Sequence, residues 1–404
     1  MYSSGKSPHA LNIAICGIRG IPACYGGFET FAEELGKRLA ERGHRVLVYG
    51  RDHVIKHSEP KYLGVDIKLL PAPRHKYLET PVHTWRCLKD IVRNPVDVVL
   101  VCNAANSPFV WLPRLRGIPV AVNVDGIERM RAKWNFLGRL WYRLGEICSV
   151  LFASEIISDA GVIESYYRET YHVRSRVIAY GHRSSERHFL AAKCCGENLL
   201  DPLDPLFTEL KIQPDRYLLY VSRLEPENNA HRVIQAYSSL DEEVQRALPL
   251  VVVGDAPYAK EYIEELHRIA SPSVVFAGYR FGDQYETLQR GAHVYIQATE
   301  VGGTHPALVE AMGFANCIIA NGTPENQEVL SDCGEFYAKN NVDELKSVLT
   351  RLVTNPRLVN KLRRRALKRA QELYDWEIIC SNYEDLFREM CSKKQKELQP
   401  SSTI

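Results

Sequence analysis

Short apolar runs alternate with amphipathic stretches along most of the chain. LNIAICG (11–17), RVLVYG (45–50), VDIKLL (65–70), VDVVLV (96–101), IPVAVNV (118–124) and SEIISDA (154–160) read as strands. Their near-continuous apolar character implies burial on both faces, hence a parallel sheet covered by helices. Between the first two runs, Glu29 to Glu41 has helical spacing, with Phe31, Leu35 and Leu39 on one face and Gly43 near its end. YLLYVS (217–222), PLVVVGD (249–255), SVVFAG (273–278), HVYIQA (293–298) and NCIIAN (316–321) form a second set. Two sets predict two doubly wound α/β domains.

The domain reading follows. Residues 1–10 are a polar tail, 11–182 one Rossmann-like domain and 216–374 another. Residues 183–215, with Pro202, Pro205 and Pro214 and no clear period, read as a linker. Residues 375–404 are a C-terminal helix and tail that pack back toward the first domain. The whole stretch 342–397 is helical and charged, and Arg363-Arg364-Arg365 and Lys393-Lys394 read as solvated faces.

Composition narrows the function only by exclusion. A net charge of +2 over 404 residues makes no field suited to nucleic acid. No apolar run approaches the roughly 20 residues of a membrane span, and the first residues lack the apolar core of a signal peptide. The 11 cysteines include no C-x-x-C pair, and Cys16, Cys102 and Cys317 fall in strand-like runs, which fits a reducing, cytoplasmic setting.

Chemistry concentrates at strand ends. Gly26-Gly27-Phe28-Glu29 opens a helix in the first half, and Gly302-Gly303-Thr304-His305-Pro306 opens another in the second. Backbone N–H groups and the helix dipole at such turns attract anions. Gly302 and Gly303 would permit positive φ, Pro306 suits a first helical turn, and Glu310 lies one turn inside. Glu310 serves either two vicinal hydroxyls or the helix dipole. Arg223, after YLLYVS, has a guanidinium fork suited to a diphosphate, or pairs with Glu225 or Glu227. Asp125-Gly126, after IPVAVNV, is either a cleft carboxylate or a simple turn. Glu29 reads as a helix cap. In 129–143, basic and aromatic residues interleave, including Arg131, Lys133 and Arg139. This segment either lies on an anionic membrane surface or packs its aromatics into the core.

Arg223-Leu-Glu-Pro-Glu227, GGTHPALVEAM (302–312) and Asn321-Gly-Thr-Pro324 together resemble the donor half of retaining GT-B glycosyltransferases, the glycogen-synthase-like superfamily (family 4), over residues 11 to about 390. GIRGIPACYGGFETFAEELGKRL (17–39) resembles a narrower branch, the bacterial rhamnosyltransferase-like enzymes of surface polysaccharide assembly. The resemblance implies two Rossmann-like domains facing a central cleft. It also implies a nucleotide-sugar donor, dTDP-L-rhamnose before UDP-hexoses or GDP-mannose, and a glycan or lipid-linked acceptor. The implied localisation is cytoplasmic, at the inner face of the cell membrane.

Residue by residue, the resemblance assigns Gly26 and Gly27 to the donor diphosphate, with Arg223, Gly303 and Thr304 on the second domain. Glu310 would hold the ribose, Tyr279 or Arg280 would face the base, and Asp125 would contact the transferred sugar. Gly302 and His305 complete the donor turn. Two positions depart from the pattern: Asn228 stands where the family often has lysine, and Gly302 where it has a second glutamate. Arg232 and Glu300 are candidates to replace them. No D-x-D triplet or zinc spacing appears, so no metal or other cofactor is expected and Arg223 with backbone amides would neutralise the leaving diphosphate. A nicotinamide dehydrogenase is disfavoured, since Gly17-Ile-Arg-Gly20 lacks the G-x-G-x-x-G spacing. A sugar epimerase and a non-catalytic assembly protein are the other rivals.

Overall fold

A computed structural model describes residues 10–23, 26–75, 77–131, 134–183, 186–256 and 258–398, with side chains to 394. Most of the expected N-terminal tail therefore lies outside the described residues. The chain forms two units, Met1–Tyr180 with Trp376–Ile404, and Gly181–Asp375.

The first unit holds strands β1 (Asn12–Cys16), β2 (Arg45–Arg51), β3 (Lys61–Tyr62), β4 (Val65–Leu70), β5 (Val98–Cys102), β6 (Val120–Asn123), β7 (Glu155–Ser158) and β8 (Arg176–Val177). Its helices are α1 (Gly27–Glu41), α2 (Glu79–Arg93), α3 (Trp111–Arg114), α4 (Phe136–Phe152) and α5 (Gly161–Tyr171). The sheet order is β3-β4-β2-β1-β5-β6-β7-β8. β1 and β5 pair in parallel at its centre, and their residues from Ile13 and Val98 onward are buried. β3 pairs antiparallel at one edge. The sequence missed β3 and β8, because two residues show no periodicity.

The second unit contains α6 (Arg187–Cys195), α7 (Pro205–Leu210), β9 (Leu218–Val221), α8 (Ala230–Ser238), α9 (Glu242–Ala247), β10 (Leu250–Val253), α10 (Lys260–Ile269), β11 (Val274–Gly278), α11 (Gly282–Gly291) and β12 (Val294–Gln297). α12 (Pro306–Gly313), β13 (Cys317–Asn321), α13 (Pro324–Leu330), β14 (Glu335–Tyr337), α14 (Val342–Val353) and α15 (Pro356–Leu373) complete it. The order β11-β10-β9-β12-β13-β14 reverses direction between β9 and β12. In a doubly wound sheet that reversal opens a crevice at the carboxyl ends of the two diverging strands.

Two sequence expectations are corrected here. Residues 183–215 are no linker: α6 and α7 belong to the second unit. Phe189, Leu190 and Cys194 of α6 pack with Ala315, and Leu206, Phe207 and Leu210 of α7 are buried. The prolines misled, since Pro205 starts α7 with Asp204 as its cap. Arg363 is not solvated. It is 1% exposed, bonds Asp215, and donates from Nη2 to the His293 carbonyl at 3.1 Å. The helical pattern over 342–397 resolves into α14, α15 and α16 (Trp376–Leu398).

α16 completes the first unit by packing on α1. Trp376 and Tyr383 lie against Phe31, with ring centroids 6.2 and 5.3 Å away. Arg42, the C-cap of α1, bonds Glu377 at 2.8 Å and Glu384 at 2.9 Å, both on α16. Asn123 at the end of β6 donates to the Tyr383 hydroxyl at 2.9 Å.

Candidate functional site

In the second unit, the residues singled out in the sequence emerge at the two strands that diverge. Arg223 follows β9, and Glu300 to Thr304 follow β12. Gly254, after β10, has φ +128°, and a Cβ there would sit 1.8 Å from the Ser222 carbonyl oxygen. Only glycine lets these two strand ends approach so closely. The Glu300 N–H donates to the Glu227 carbonyl at 3.0 Å, which ties the β9 loop to the β12 loop.

Arg223 Nη2 lies 3.6 Å from Glu225 Oε2, so the ion-pair reading and the ligand reading meet in one partly exposed side chain. Asn228 Nδ2 donates to the Arg223 carbonyl at 2.7 Å and so braces the arginine's own backbone. Arg232, the candidate to replace the missing lysine, is held by neutral acceptors. Its Nε bonds Asn229 Oδ1 at 3.1 Å and its Nη1 bonds the Asn340 carbonyl at 3.0 Å. It belongs to an asparagine network the sequence did not reveal. Asn229 and Asn321 each donate to Asn340 Oδ1 at 2.9 Å and to the Ala298 carbonyl, which joins the ends of β9, β12 and β13. Lys339 Nζ lies 3.2 Å from Glu300 Oε1.

The turn at 302–305 works differently from the sequence expectation. Neither Gly302 nor Gly303 adopts positive φ. At Gly302 a Cβ would fall 2.4 Å from His305 Cε1, the far end of a side chain. Thr304 is buried, and Pro306 occupies the first turn of α12 as expected. Glu310 is buried in α12 and accepts a hydrogen bond from the Tyr285 hydroxyl at 2.7 Å. Gln289 Nε2 donates to the same hydroxyl at 2.9 Å. Burial, and next the Glu310 charge, push the Tyr285 phenol well above its ordinary range, so it stays a donor.

Of the two base-facing candidates, Arg280 is engaged. It bonds Glu209, Gln284 at 3.1 Å and the Ala277 carbonyl at 2.9 Å. Tyr279 is 38% exposed and stacks on Phe281, with centroids 5.8 Å apart at 24°. Its hydroxyl reaches the Asp255 carbonyl at 3.0 Å.

In the first unit, Gly26 caps α1 with an extended backbone and Gly27 begins the helix. Glu29 is not a cap. Its Oε1 accepts from the Arg19 N–H at 3.0 Å and so fixes the loop after β1. Burial pushes its carboxyl up, against the Arg19 bond that lowers it. Asp125 follows β6 with φ +50°, so it is a left-handed turn residue and a strand-end carboxylate at once. The Tyr180 hydroxyl approaches its Oδ1 at 3.3 Å. Burial raises its carboxyl, while a bond to Asp159 acts the other way. Beside it a small cleft is lined by Asn103, Gly126, Glu128, Tyr142, Glu146 and Tyr166.

The 129–143 segment divides by residue type. Trp141 Nε1 donates to the Ala105 carbonyl at 3.1 Å, and Trp134 packs on Tyr142 at 5.1 Å. These three aromatics are half-buried, while Phe136 is exposed. Arg129 bonds Glu146 at 3.1 Å and Arg131 bonds Glu128 at 2.8 Å, while Arg139 is exposed and Lys133 lies outside the described residues. Among the described residues, no group of His, Cys, Asp and Glu has the arrangement of a metal site, and no helix is long and apolar enough to cross a membrane.

Residues 206–372 match the model of the family described as glycosyl transferases group 1, and residues 10–183 match a domain of unknown function, DUF1972. The chain is 23% identical to an uncharacterized glycosyltransferase of Methanocaldococcus jannaschii over 392 residues, 90% of this chain and 95% of that protein. It is 20% identical to the O-antigen chain mannosyltransferase B of Escherichia coli over 210 residues, 50% of this chain and 55% of that protein. Among solved structures, sucrose-phosphate synthase from Thermosynechococcus elongatus matches with a TM-score of 0.76 at 19% identity, over 95% of this chain and 99% of the other. Anabaena HepE in complex with UDP-glucose matches with a TM-score of 0.72 at 14% identity, over 95% and 100%. These likenesses define the class as a GT-B fold of two parallel-sheet α/β domains. With a group 1 glycosyl transferase domain over residues 206–372, the protein is a glycosyltransferase.

Proposed function

We propose that this protein transfers a sugar from a nucleotide-sugar donor to a glycan or lipid-linked saccharide, with retention of configuration, in bacterial surface polysaccharide synthesis. One observation carries the reading: Arg223 follows β9, and the 302–306 turn and Glu310 follow β12, the two neighbouring strands at which the sheet order reverses. There Arg223 and the α12 N-terminus bind the donor diphosphate and stabilise its charge as it leaves. Glu310, oriented by Tyr285, holds the ribose hydroxyls, and Tyr279 stacks on the base. Asp125 contacts the transferred sugar. The departing phosphate accepts the proton of the attacking hydroxyl, so no separate base is assigned.

The donor we favour is dTDP-L-rhamnose, on the resemblance of residues 17–39 to rhamnosyltransferase-like enzymes. A second reading, GDP-mannose or a UDP-hexose, draws support from the mannosyltransferase relative and from HepE with UDP-glucose. Thermal shift against dTDP-rhamnose, dTDP, UDP, UDP-glucose and GDP-mannose without metal separates them, because a ligand of the folded state raises stability with its affinity. No shift at saturating concentrations points to a donor outside this set or to a non-catalytic assembly protein. NMR of the product linkage tests retention. Transfer should survive EDTA, and loss of activity restored by added metal would falsify the metal-free scheme.

A further inference from the structure

The outward face of α4 is apolar and uncovered. Phe136, Leu137, Leu140, Leu144, Ile147 and Leu151 are between 39% and 78% exposed. At 3.6 residues per turn they form one stripe about 100° wide along the whole helix. Isolated exposed leucines are ordinary, but a contiguous stripe marks an interaction surface. The helix cannot rotate to hide it. A Cβ at Gly145 on the opposite face would lie 2.4 Å from the Ala104 carbonyl oxygen, and Trp141 is bonded to Ala105.

The charges around the stripe select its partner. Arg139 and Arg143 are exposed along one flank. Glu146 is the acidic residue of α4, and it is buried, accepting from Arg129, Tyr166 and Tyr171. The exposed face of α4 is therefore apolar and cationic. Half-exposed tryptophans adjoin it: Trp85 of α2 lies 5.8 Å from Phe109 and 6.3 Å from Trp111 of α3, and Phe109 lies 6.2 Å from Trp141. Leucines, arginines and tryptophans together suit the boundary between acyl chains and anionic headgroups. A second copy seated stripe to stripe would bring Arg139 and Arg143 against an α4 whose one carboxylate, Glu146, is buried.

We propose that α4 lies in the surface of an anionic bilayer, with the stripe among the acyl chains and Arg139 and Arg143 on headgroup phosphates. This holds whatever the donor sugar. The test is flotation of the full chain with vesicles of phosphatidylglycerol and phosphatidylethanolamine, beside vesicles of phosphatidylcholine alone. The chain should float with the anionic vesicles. Leu140→Glu with Leu144→Glu should lower the bound fraction on the order of tenfold or more. Arg139→Glu with Arg143→Glu should lower binding to anionic vesicles and leave neutral vesicles unaffected. These side chains are exposed, so the melting temperature should hold; if the leucine pair lowers it, Leu137→Ser with Leu151→Ser must still reduce flotation. Absence of flotation, or full flotation of both leucine pairs, overturns the proposal. So does a dimer in sedimentation that the leucine substitutions dissociate, which would assign the face to a second copy.

Discussion

The Tyr285 hydroxyl donates to Glu310 Oε2 at 2.7 Å, from α11 to α12 across the carboxyl side of the second sheet. A buried carboxylate needs donors to stay in one orientation. Tyr285→Phe removes one donor and keeps the ring. Nucleotide-sugar affinity should fall by about 1–1.5 kcal/mol, near the net value of one such bond. Calorimetric titration measures this, and unchanged affinity would separate Glu310 from the donor.

Arg223 carries the direct charge contact in the proposed site. Arg223→Ala should weaken nucleotide-sugar binding by about 1.5–3 kcal/mol, the range for hydrogen bonds to charged groups. Stability should change little, because the side chain is partly exposed and its ion pair with Glu225 spans 3.6 Å. Wild-type affinity in the titration would rule out the diphosphate clamp.

Gly302 gives a cleaner test of geometry. A methyl at this position meets His305 Cε1 at 2.4 Å, the outer end of a side chain that can swing away. Gly302→Ala should therefore cost less than about 1 kcal/mol in stability yet reduce donor affinity by displacing His305. In a His305→Ala background the same substitution should add nothing. An additive loss would show that the backbone, not His305, suffers.

Asp215 predicts a pH dependence. Burial alone would raise its carboxyl, but His293 and Arg363 outweigh burial and hold it at about 2. A depressed carboxylate stabilises the fold above its unfolded value, and the contribution fades as pH falls through about 2. Asp215→Asn should cost about 2 kcal/mol or more at pH 7, since it also strands the buried Arg363. The gap to wild type should narrow from about pH 5 downward. Urea unfolding across that range checks it, and a constant gap would remove the charge from the explanation.

The arginine run shows where sequence reading stops. Arg363, Arg364 and Arg365 are alike on paper, yet only the tertiary fold puts Arg363 against Asp215, far away in the chain. The asparagine network failed to register for the same reason, because Asn229, Asn321 and Asn340 meet only when β9, β12 and β13 lie side by side. At Gly302 positive φ was expected; the backbone does not adopt it, and the His305 ring fills the space a side chain would take.

By itself, the sequence determined the two parallel sheets and the loops at their strand ends. Continuous apolar runs can be buried only between helices, and glycine, proline and charge mark where strands stop. Tertiary structure alone decided which strand ends diverge, which charges are spent on partners and which remain. It also decided that α4 turns its tryptophan inward and its leucines outward. That choice came from the close approach of Gly145 to Ala104, a contact no local pattern encodes.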